Sequence, residues 1–477
     1  MTAGARSIAR VGVCAAACAL AAGACKGEGP GGEHIARARD AGAAVVIVDR
    51  PAGGGGGGAF SDLPPEREPN AKPADASPIG DGVQGVLDGD TDVDAFVVQS
   101  PGPRMLTAAL SPIEGIDTRL ELRDKEFNVI ATSERGGAGI GEGLADAPLD
   151  KGTYYLVVRE VPRPPAKAAK KAPKPKPGTP APAPAAAGRV GRSPPYTLTA
   201  RLVADPAPGA EREPDDDAGS ANDVSLIEPV TGHLGWTGDV DVWKVPLEGL
   251  AAGNGLDVTI SAIPGTTLTL AVTDAADRPR TQVTGVPGQP LTLRSLAPRL
   301  DPGQAPFHHL KIGGKPSNPD VAYTLTVTPR LLDLDEEAEP NDKPQTATPL
   351  RYGADEQGSM RGELGPGEVD VFELSPSSGP RTLDATIDSV AGLDLVCEIV
   401  SSTGAALGGK GDGGGVGAGE DCSGAVPTGA EAYVRVSAKA SKKPQAQAAY
   451  TLRWSSSGSG GAPPPAAGSD DPLPPEE

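Results

Sequence analysis

The sequence is poor in aromatic residues, histidines and cysteines, and these shortages narrow the kinds of protein it can encode. Aromatic residues make up 3% of the 477 residues, and there are four histidines. None of them, at His34, His233, His308 and His309, lies in a His-Glu-x-x-His sequence, and no Gly-x-Ser-x-Gly sequence occurs. These two hydrolase signatures are therefore missing, and we expect a protein that is not an enzyme.

The sequence is also short of positive charge. It holds 43 Lys and Arg against 63 Asp and Glu, for a net charge of -20, which argues against a nucleic-acid partner. What it has in abundance is glycine and proline, 65 and 51 residues respectively. That balance favours turns and short strands over long helices.

No hydrophobic run is long enough to span a membrane. Arg6 and Arg10 precede a weakly apolar run from Val11 to Ala24, which is typical of a signal peptide over residues 1–24. The six residues that end in Cys25 resemble a bacterial lipoprotein box, although Ala22 stands where that family usually has Leu. The resemblance implies a lipid anchor on Cys25 and, from Lys26, sorting to the outer membrane or cell surface. Cleavage after Ala24 by ordinary signal peptidase is the alternative.

The cysteines fit an exported protein. Cys14 and Cys18 leave with the signal peptide, so that Cys397 and Cys422 are the pair left for the folded part beside Cys25. An oxidising compartment favours a disulfide between them. Two unpaired buried thiols are the alternative.

Three signals recur in the same order three times along the chain, which indicates a repeat array. The first signal is a Glu-Pro step, the second is a strand that begins with Val-Asp, and the third is Tyr-Thr-Leu. They begin at Glu68, Val93 and Tyr196, at Glu213, Val240 and Tyr323, and at Glu339, Val369 and Tyr450.

Each repeat contains many short stretches of alternating apolar residues separated by turn residues. The stretches Asp94 to Val98 and Asp370 to Leu374 are examples. This pattern predicts an all-β fold of three tandem antiparallel jelly-roll-like β-sandwich domains. Phe96, Trp243 and Phe372 align between copies as core residues.

With these motifs, the three units resemble the bacterial pre-peptidase C-terminal domain, a β-sandwich usually appended to secreted proteases. The resemblance covers residues 67 to 455, and we expect no protease domain beside it. The expected boundaries are 1–24 (signal peptide), 25–66 (flexible tether after the lipid anchor), 67–204, 205–331 and 332–455 (the three domains) and 456–477 (disordered acidic tail).

The first repeat carries an insertion over residues 162–195, rich in Ala, Pro and Lys and free of acidic residues. We expect it to be extended and disordered. Its lysines are candidates for binding an anionic polysaccharide, with a solvated linker as the alternative. They are Lys167, Lys170, Lys171, Lys174 and Lys176.

The acids that recur at equivalent positions supply the hard oxygen atoms that Ca²⁺ prefers. In calcium-binding members of the resembling family, the metal lies between the entry segment and nearby acids. The resemblance thus implies ligands at Glu68, Asn70, Asp92 and Asp94, at Glu213, Asp215, Asp216 and Asp241, and at Glu339, Asn341, Asp342 and Asp370. The alternative is that these residues form turns and cap backbone amides.

Two further patterns are interpreted as structural. Gly404 to Lys410 superficially fits a phosphate-binding loop, but Gly411 stands where Ser or Thr should follow, so we expect a flexible glycine-rich loop. His309 shares its strand position with Tyr155 and Tyr433, which favours a packed residue over a metal ligand.

The sequence as a whole predicts an exported lipoprotein that binds or scaffolds at the cell surface, with an anionic polysaccharide or an extracellular protein as partner. An accessory subunit of a separate secreted protease is the alternative function. Deleting residues 162–195 discriminates between the two, because only polymer binding depends on the basic segment.

Overall fold

The computed structural model describes residues 63–162, 189, 191–251, 253–300, 302–351, 356–365, 368–439 and 447–458. The predictions for the signal peptide, for Cys25, for most of the tether, insertion and tail, and for the five lysines of the insertion lie outside these residues. Within the described ranges, no helix has the length and hydropathy that a membrane crossing requires.

The described chain is built from β-strands and contains no α-helix, as the composition predicts. Its strands fall into three sets of nine, which we call modules 1, 2 and 3. The strands of module 1 are β1 Ser77–Pro78, β2 Gly82–Gly85, β3 Val93–Ser100, β4 Arg104–Leu110, β5 Thr118–Arg123, β6 Val129–Ser133, β7 Glu142–Leu149, β8 Gly152–Glu160 and β9 Tyr196–Val203.

Modules 2 and 3 repeat this order. Module 2 comprises β10 Asn222–Asp223, β11 Val230–Gly232, β12 Val240–Pro246, β13 Asn254–Ile260, β14 Thr267–Asp274, β15 Pro279–Thr284, β16 Leu291–Leu296, β17 Phe307–Lys315 and β18 Tyr323–Leu331. Module 3 follows a short 3₁₀ helix, Pro344–Thr346, and comprises β19 Thr348–Pro349, β20 Gln357–Leu364, β21 Val369–Leu374, β22 Arg381–Ile387, β23 Leu395–Ser401, β24 Gly408–Gly409, β25 Glu420–Val426, β26 Ala432–Ala438 and β27 Ala448–Gly458.

Each module is a sandwich of two sheets. In module 1 the sheets have the strand orders β1-β3-β8-β5-β6 and β2-β9-β4-β7, and module 2 repeats both orders with its own strands. Without the short first strand, this is the connectivity of an eight-stranded jelly roll. Module 3 has the orders β19-β21-β26-β23 and β20-β27-β22-β25-β24, so that its sixth strand lies in the other sheet. The predicted all-β class with β-sandwich domains is confirmed. The first strand of each module pairs in parallel with the Val-Asp strand, whereas the other strand pairs are antiparallel.

Each module has its own hydrophobic core between its sheets. The three cores centre on Phe96, Trp243 and Phe372, whose side chains are buried as the alignment of the copies predicts. Two predicted domain edges shift. Pro65 already bridges to Gln84 in module 1, and β27 continues to Gly458, three residues into the predicted tail.

The seventh strands of modules 1 and 2 contact the following module. β7 and β16 each contain a bulge, at which Asp146 and Ser295 adopt positive φ angles of 53° and 55°. At the first bulge, the Ala145 amide donates to the carbonyl of Gly235 in module 2 (3.3 Å). At the second, the Glu339 amide of module 3 donates to the carbonyl of Ser295 (2.9 Å). β25, the seventh strand of module 3, has no register shift.

Candidate metal centres

A buried aspartate lies at the start of the same strand in every module. Asp94 on β3, Asp241 on β12 and Asp370 on β21 have no exposed surface. Because alternate residues of a strand face opposite sides of the sheet, each aspartate is on the inner face with the core residue two positions later. The tyrosine of Tyr-Thr-Leu reaches this carboxylate from the opposite sheet: the hydroxyls of Tyr196 and Tyr450 donate to Asp94 (2.5 Å) and Asp370 (2.6 Å).

Module 2 departs from this arrangement. The hydroxyl of Tyr323 accepts a hydrogen bond from the indole N–H of Trp243 (2.8 Å), a donor that Phe96 and Phe372 cannot provide. Among the described residues, neither carboxylate oxygen of Asp241 has a partner with hydrogen-bond geometry, although the side chain of Tyr323 lies near enough to lower its pKa. Asp241 is consequently the least satisfied of the three aspartates.

The Glu-Pro-Asn/Asp segment is held beside the aspartate by its own backbone. The carbonyl oxygens of Asn70, Asp215 and Asn341 accept the amide hydrogens of Ala95, Val242 and Val371 at 3.2, 3.1 and 3.0 Å. In each copy the same residue's amide donates back to the preceding glutamate, for example Asn341 to Glu339 (3.2 Å). The turn role considered for this motif is therefore present, but it leaves the other carboxylate oxygen available.

A second glutamate lies two residues before the first and was missed by the sequence reasoning. It is Glu66, Glu211 or Glu337: it joins the carboxylate group in modules 1 and 3, and in module 2 it lies close enough to Asp241 to repel it. One of its oxygens accepts an amide hydrogen from the second strand of the module or from the residue after that strand, at 2.6 to 2.7 Å. The signal was present, because Glu-x-Glu-Pro occurs in all three copies and residues two apart in extended chain face the same side.

A glycine makes room for this glutamate and for the tyrosine. A Cβ atom on Gly362 would lie 2.6 Å from the Glu337 carboxylate and 2.5 Å from the ring of Tyr450. Gly232 in module 2 faces the same crowding from Glu211 and Tyr323, whereas a Cβ atom on Gly85 in module 1 would meet the side chain of Tyr196. A glycine is therefore required in this short strand by the close approach of the tyrosine and, in modules 2 and 3, of the glutamate.

These residues bring carboxylates together once per module. We call the groups acid cluster 1 (Glu66, Glu68, Asp94), acid cluster 2 (Glu213, Asp239, Asp241) and acid cluster 3 (Glu337, Glu339, Asp370). In each group one oxygen per residue lies within 4.8 Å of the others. Oxygens bound at 2.3–2.6 Å to one Ca²⁺ are at most about 5 Å apart, so this spacing suits a shared ion.

Several oxygens in and beside the clusters are buried without a hydrogen-bond partner among the described residues. Such atoms are costly unless something else binds them. They are Asn70 Oδ1 and Asp94 Oδ1 in module 1, Glu211 Oε2, Glu213 Oε1, Asp215 Oδ1, Asp239 Oδ1 and both oxygens of Asp241 in module 2, and Glu339 Oε1, Asn341 Oδ1 and Asp370 Oδ1 in module 3. Equivalent atoms recur between modules, and all are hard oxygen donors, as Ca²⁺ coordination requires.

Burial and mutual repulsion make these groups reluctant to ionise. Desolvation raises the pKa of Asp94 to about 8 and that of Glu339 to about 8. It also raises the pKa values of Asp370 and Glu337 well above their usual range, with repulsion between the acids adding to the effect. A divalent cation would remove both causes, because it neutralises the charges and replaces the lost hydration.

The pKa shifts are as large in acid cluster 2. Desolvation, followed by repulsion from Asp215, raises the pKa of Glu213 to about 9, and desolvation raises that of Asp239 to about 8. The pKa of the fully buried Asp241 lies well above its usual range for the same reasons.

Other predicted ligands lie at the edge of these groups. Asp92 accepts amide hydrogens from Asp88 (2.5 Å) and Val93 (3.0 Å), so both of its oxygens form the turn before β3. Asp216 is exposed and Asp342 half-buried, and both affect the clusters through charge repulsion. Glu68 is exposed in module 1, which makes acid cluster 1 the most open of the three.

The remaining predicted residues are placed as follows. Cys397 and Cys422 form the predicted disulfide, which joins β23 of one sheet to β25 of the other. The expectation of a flexible loop from Gly404 is wrong in part, because β24 pairs with β25 and Gly411 bridges to Cys397. Backbone hydrogen bonds form there because glycine allows close approach. His309 is buried and packs edge-on against Phe307, as expected for a strand residue.

The comparisons with known proteins do not identify the chain. No family model matches it, and no curated protein matches it. One similar solved structure is PliG of Aeromonas hydrophila, a periplasmic inhibitor of g-type lysozyme, at 15% identity over 23% of this chain and 96% of that chain, with a TM-score of 0.20. Another is the VP2 subviral particle of infectious bursal disease virus, at 9% identity over 78% of this chain and 72% of that chain, with a TM-score of 0.15. Likenesses of this size identify neither a family nor a function.

Proposed function

We propose that the protein is an exported, lipid-anchored and non-enzymatic scaffold whose three β-sandwich modules are stiffened by Ca²⁺. The observation that carries the proposal is the recurrence, in each module, of an acid cluster with buried oxygens that lack partners. One such group could be a tolerated defect, but three equivalent ones in one chain point to a common ligand. The resemblance to pre-peptidase C-terminal domains supports the same ion.

The position of the clusters supports a role in stiffening. The backbone of Glu339, a member of acid cluster 3, donates to Ser295 and accepts from Ala297 (2.7 Å) in module 2. An ion held by Glu339 would order the same residue that joins the two modules. Calcium sites of extracellular modules typically have dissociation constants of about 10⁻⁴ to 10⁻³ M, so the array would stiffen only after export.

The disulfide supports export, because such bonds persist in oxidising compartments. At the surface, the array would hold its basic segment, residues 162–195, away from the membrane as a contact for anionic polysaccharide. Binding to such a polymer should weaken as salt is raised and be lost when the segment is deleted. Unchanged binding to a protein partner after the deletion would favour the accessory-subunit alternative.

Thermal melting of the purified protein with chelator, Mg²⁺ or Ca²⁺ tests the proposal. An ion that binds only the folded state adds about 2.7 kcal/mol per site at 100 times its dissociation constant. We expect Ca²⁺ to raise the melting midpoint and Mg²⁺ to do so far less, because Mg²⁺ demands a smaller, octahedral site. A midpoint that is the same in chelator and in millimolar Ca²⁺ would refute the calcium-stiffened scaffold.

A further inference from the structure

A second kind of donor set lies where module 1 meets module 2. His233, on the segment after β11, faces the bulge of β7, and its Nδ1 lies 2.9 Å from Asp146 Oδ2. The same Nδ1 is 4.0 Å from Glu211 Oε1. These three residues, which we call the joint triad, offer ligand atoms within 4.8 Å of one another.

The joint triad differs from the acid clusters in its chemistry. It combines one imidazole nitrogen with two carboxylates, a set that suits Zn²⁺ and similar transition ions better than Ca²⁺, which prefers oxygen alone. Tetrahedral zinc at 2.0–2.2 Å from its ligands holds two donors about 3.3 Å apart. The two distances from His233 Nδ1, 2.9 and 4.0 Å, lie on either side of that value and within about 1 Å of it.

The three side chains are prepared for this role to different degrees. Glu211 is 2% exposed, and its Oε1 is held by the backbone amide of His233 (2.7 Å), while its Oε2 has no partner. The side chains of His233 and Asp146 are 29% and 23% exposed, which leaves a route for an ion from solvent.

The equivalent place between modules 2 and 3 provides an internal comparison. There Glu363 takes the position of His233, and Arg294 of β16 pairs with it (3.2 Å). A guanidinium is a fixed cation with no donor for a metal, so that joint has an ion pair in place of a metal-ligand set, beside the backbone hydrogen bonds of Glu339. In module 1 the position of His233 is taken by Val86.

We propose that Asp146, Glu211 and His233 form a transition-metal site that clamps module 1 to module 2. Zn²⁺ binds between His233 Nδ1 and the carboxylates of Asp146 and Glu211, with neutral imidazole as ligand, and water fills the fourth position. The site joins two modules, so that its occupancy fixes their contact, and Glu211 places it beside acid cluster 2.

Titration of the purified protein with Zn²⁺ in excess Ca²⁺, with Co²⁺ as a spectroscopic probe, tests this proposal. We expect one tightly bound ion per chain and visible Co²⁺ absorption of a four-coordinate site with a nitrogen ligand. His233→Gln and Asp146→Asn should each remove both signals. The control Arg294→Ala removes the ion pair with Glu363 between modules 2 and 3 and should leave Zn²⁺ binding and Co²⁺ absorption unchanged.

Two results would overturn the proposal: wild type that binds no Zn²⁺ or Co²⁺, or binding that survives in His233→Gln. A cooperative thermal unfolding transition in chelator shows whether each variant is folded. The two proposals fail separately, because loss of zinc binding with an intact calcium shift rejects only the clamp, and the converse rejects only the calcium scaffold.

Discussion

At the scale of single residues, the central feature is a buried carboxylate whose ionised form is costly in free energy. Asp370 has no exposed surface, accepts one hydrogen bond from Tyr450 and leaves Oδ1 without a partner. Such a side chain lowers the stability of the metal-free protein and becomes favourable only when a cation binds it. Burial of this carboxylate therefore destabilises the metal-free fold, and the proposed ion would offset that cost.

Replacing Asp370 by Asn should separate the two effects. Asn has the same shape and cannot ionise, so we expect Asp370→Asn to raise the melting midpoint of module 3 in chelator and to abolish its rise with Ca²⁺. Calorimetric melts in both conditions measure this. Asp384→Asn, at an exposed position of β22, is the matched control and should change neither. A lower midpoint in chelator with a normal calcium shift would contradict the assignment.

The sequence could predict part of each cluster but not its full membership. The Glu-Pro and Val-Asp motifs recur with their neighbours, so Glu339 and Asp370 were found. Glu337 and Asp239 were missed, although strand alternation places residues two apart on one face. Which carboxylates leave oxygens without partners depends on tertiary contacts, such as the Trp243–Tyr323 hydrogen bond, that sequence patterns do not specify.

At the scale of strands, the predictions worked where β-branched and aromatic residues alternate. The Val-Asp strands and the strands that contain Tyr-Thr-Leu were predicted, and the structure extends them at their ends. β7 and β25 were missed, because their many Gly, Ala and Pro residues have little strand propensity. Pairing with neighbouring strands stabilises them, and that information lies elsewhere in the chain.

The disulfide of module 3 connects strands of opposite sheets across a sequence separation of 25 residues. In the chain-entropy model, closing such a loop stabilises a fold by roughly 3 kcal/mol. We expect the double variant Cys397→Ala and Cys422→Ala to lower the free energy of unfolding of module 3 by this amount, measured by calorimetry. The rise of its melting midpoint with Ca²⁺ should remain, since neither cysteine belongs to an acid cluster. Wild-type protein in reductant should show the same loss of stability in module 3. An unchanged transition in both samples would contradict the stabilising role of the disulfide.

At the scale of the whole molecule, the acid clusters determine how stability responds to pH. In the absence of metal, the folded state holds protons on Asp94, Glu213 and Glu339 up to pH about 8 to 9, while the unfolded chain releases them near pH 4. The free energy of unfolding should therefore fall as the pH rises through this window.

With Ca²⁺ the pH dependence of the free energy of unfolding should reverse, because protons and the ion compete for the same oxygens. We expect the melting midpoint in chelator to be higher at pH 5 than at pH 8. The rise of the midpoint on adding Ca²⁺ should be larger at pH 8 than at pH 5. A variant with Asn at positions 94, 241 and 370 should show a weaker pH dependence in both media. Parallel pH profiles with and without Ca²⁺ would contradict the competition.

The central claim is that each module holds a calcium ion in its acid cluster, and isothermal titration of the purified protein with Ca²⁺ tests it most directly. The account predicts up to three bound ions per chain, one for each acid cluster. It predicts none in the variant that combines Asp94→Asn, Asp241→Asn and Asp370→Asn. Absence of binding at millimolar Ca²⁺, or binding unchanged in the triple variant, would contradict it.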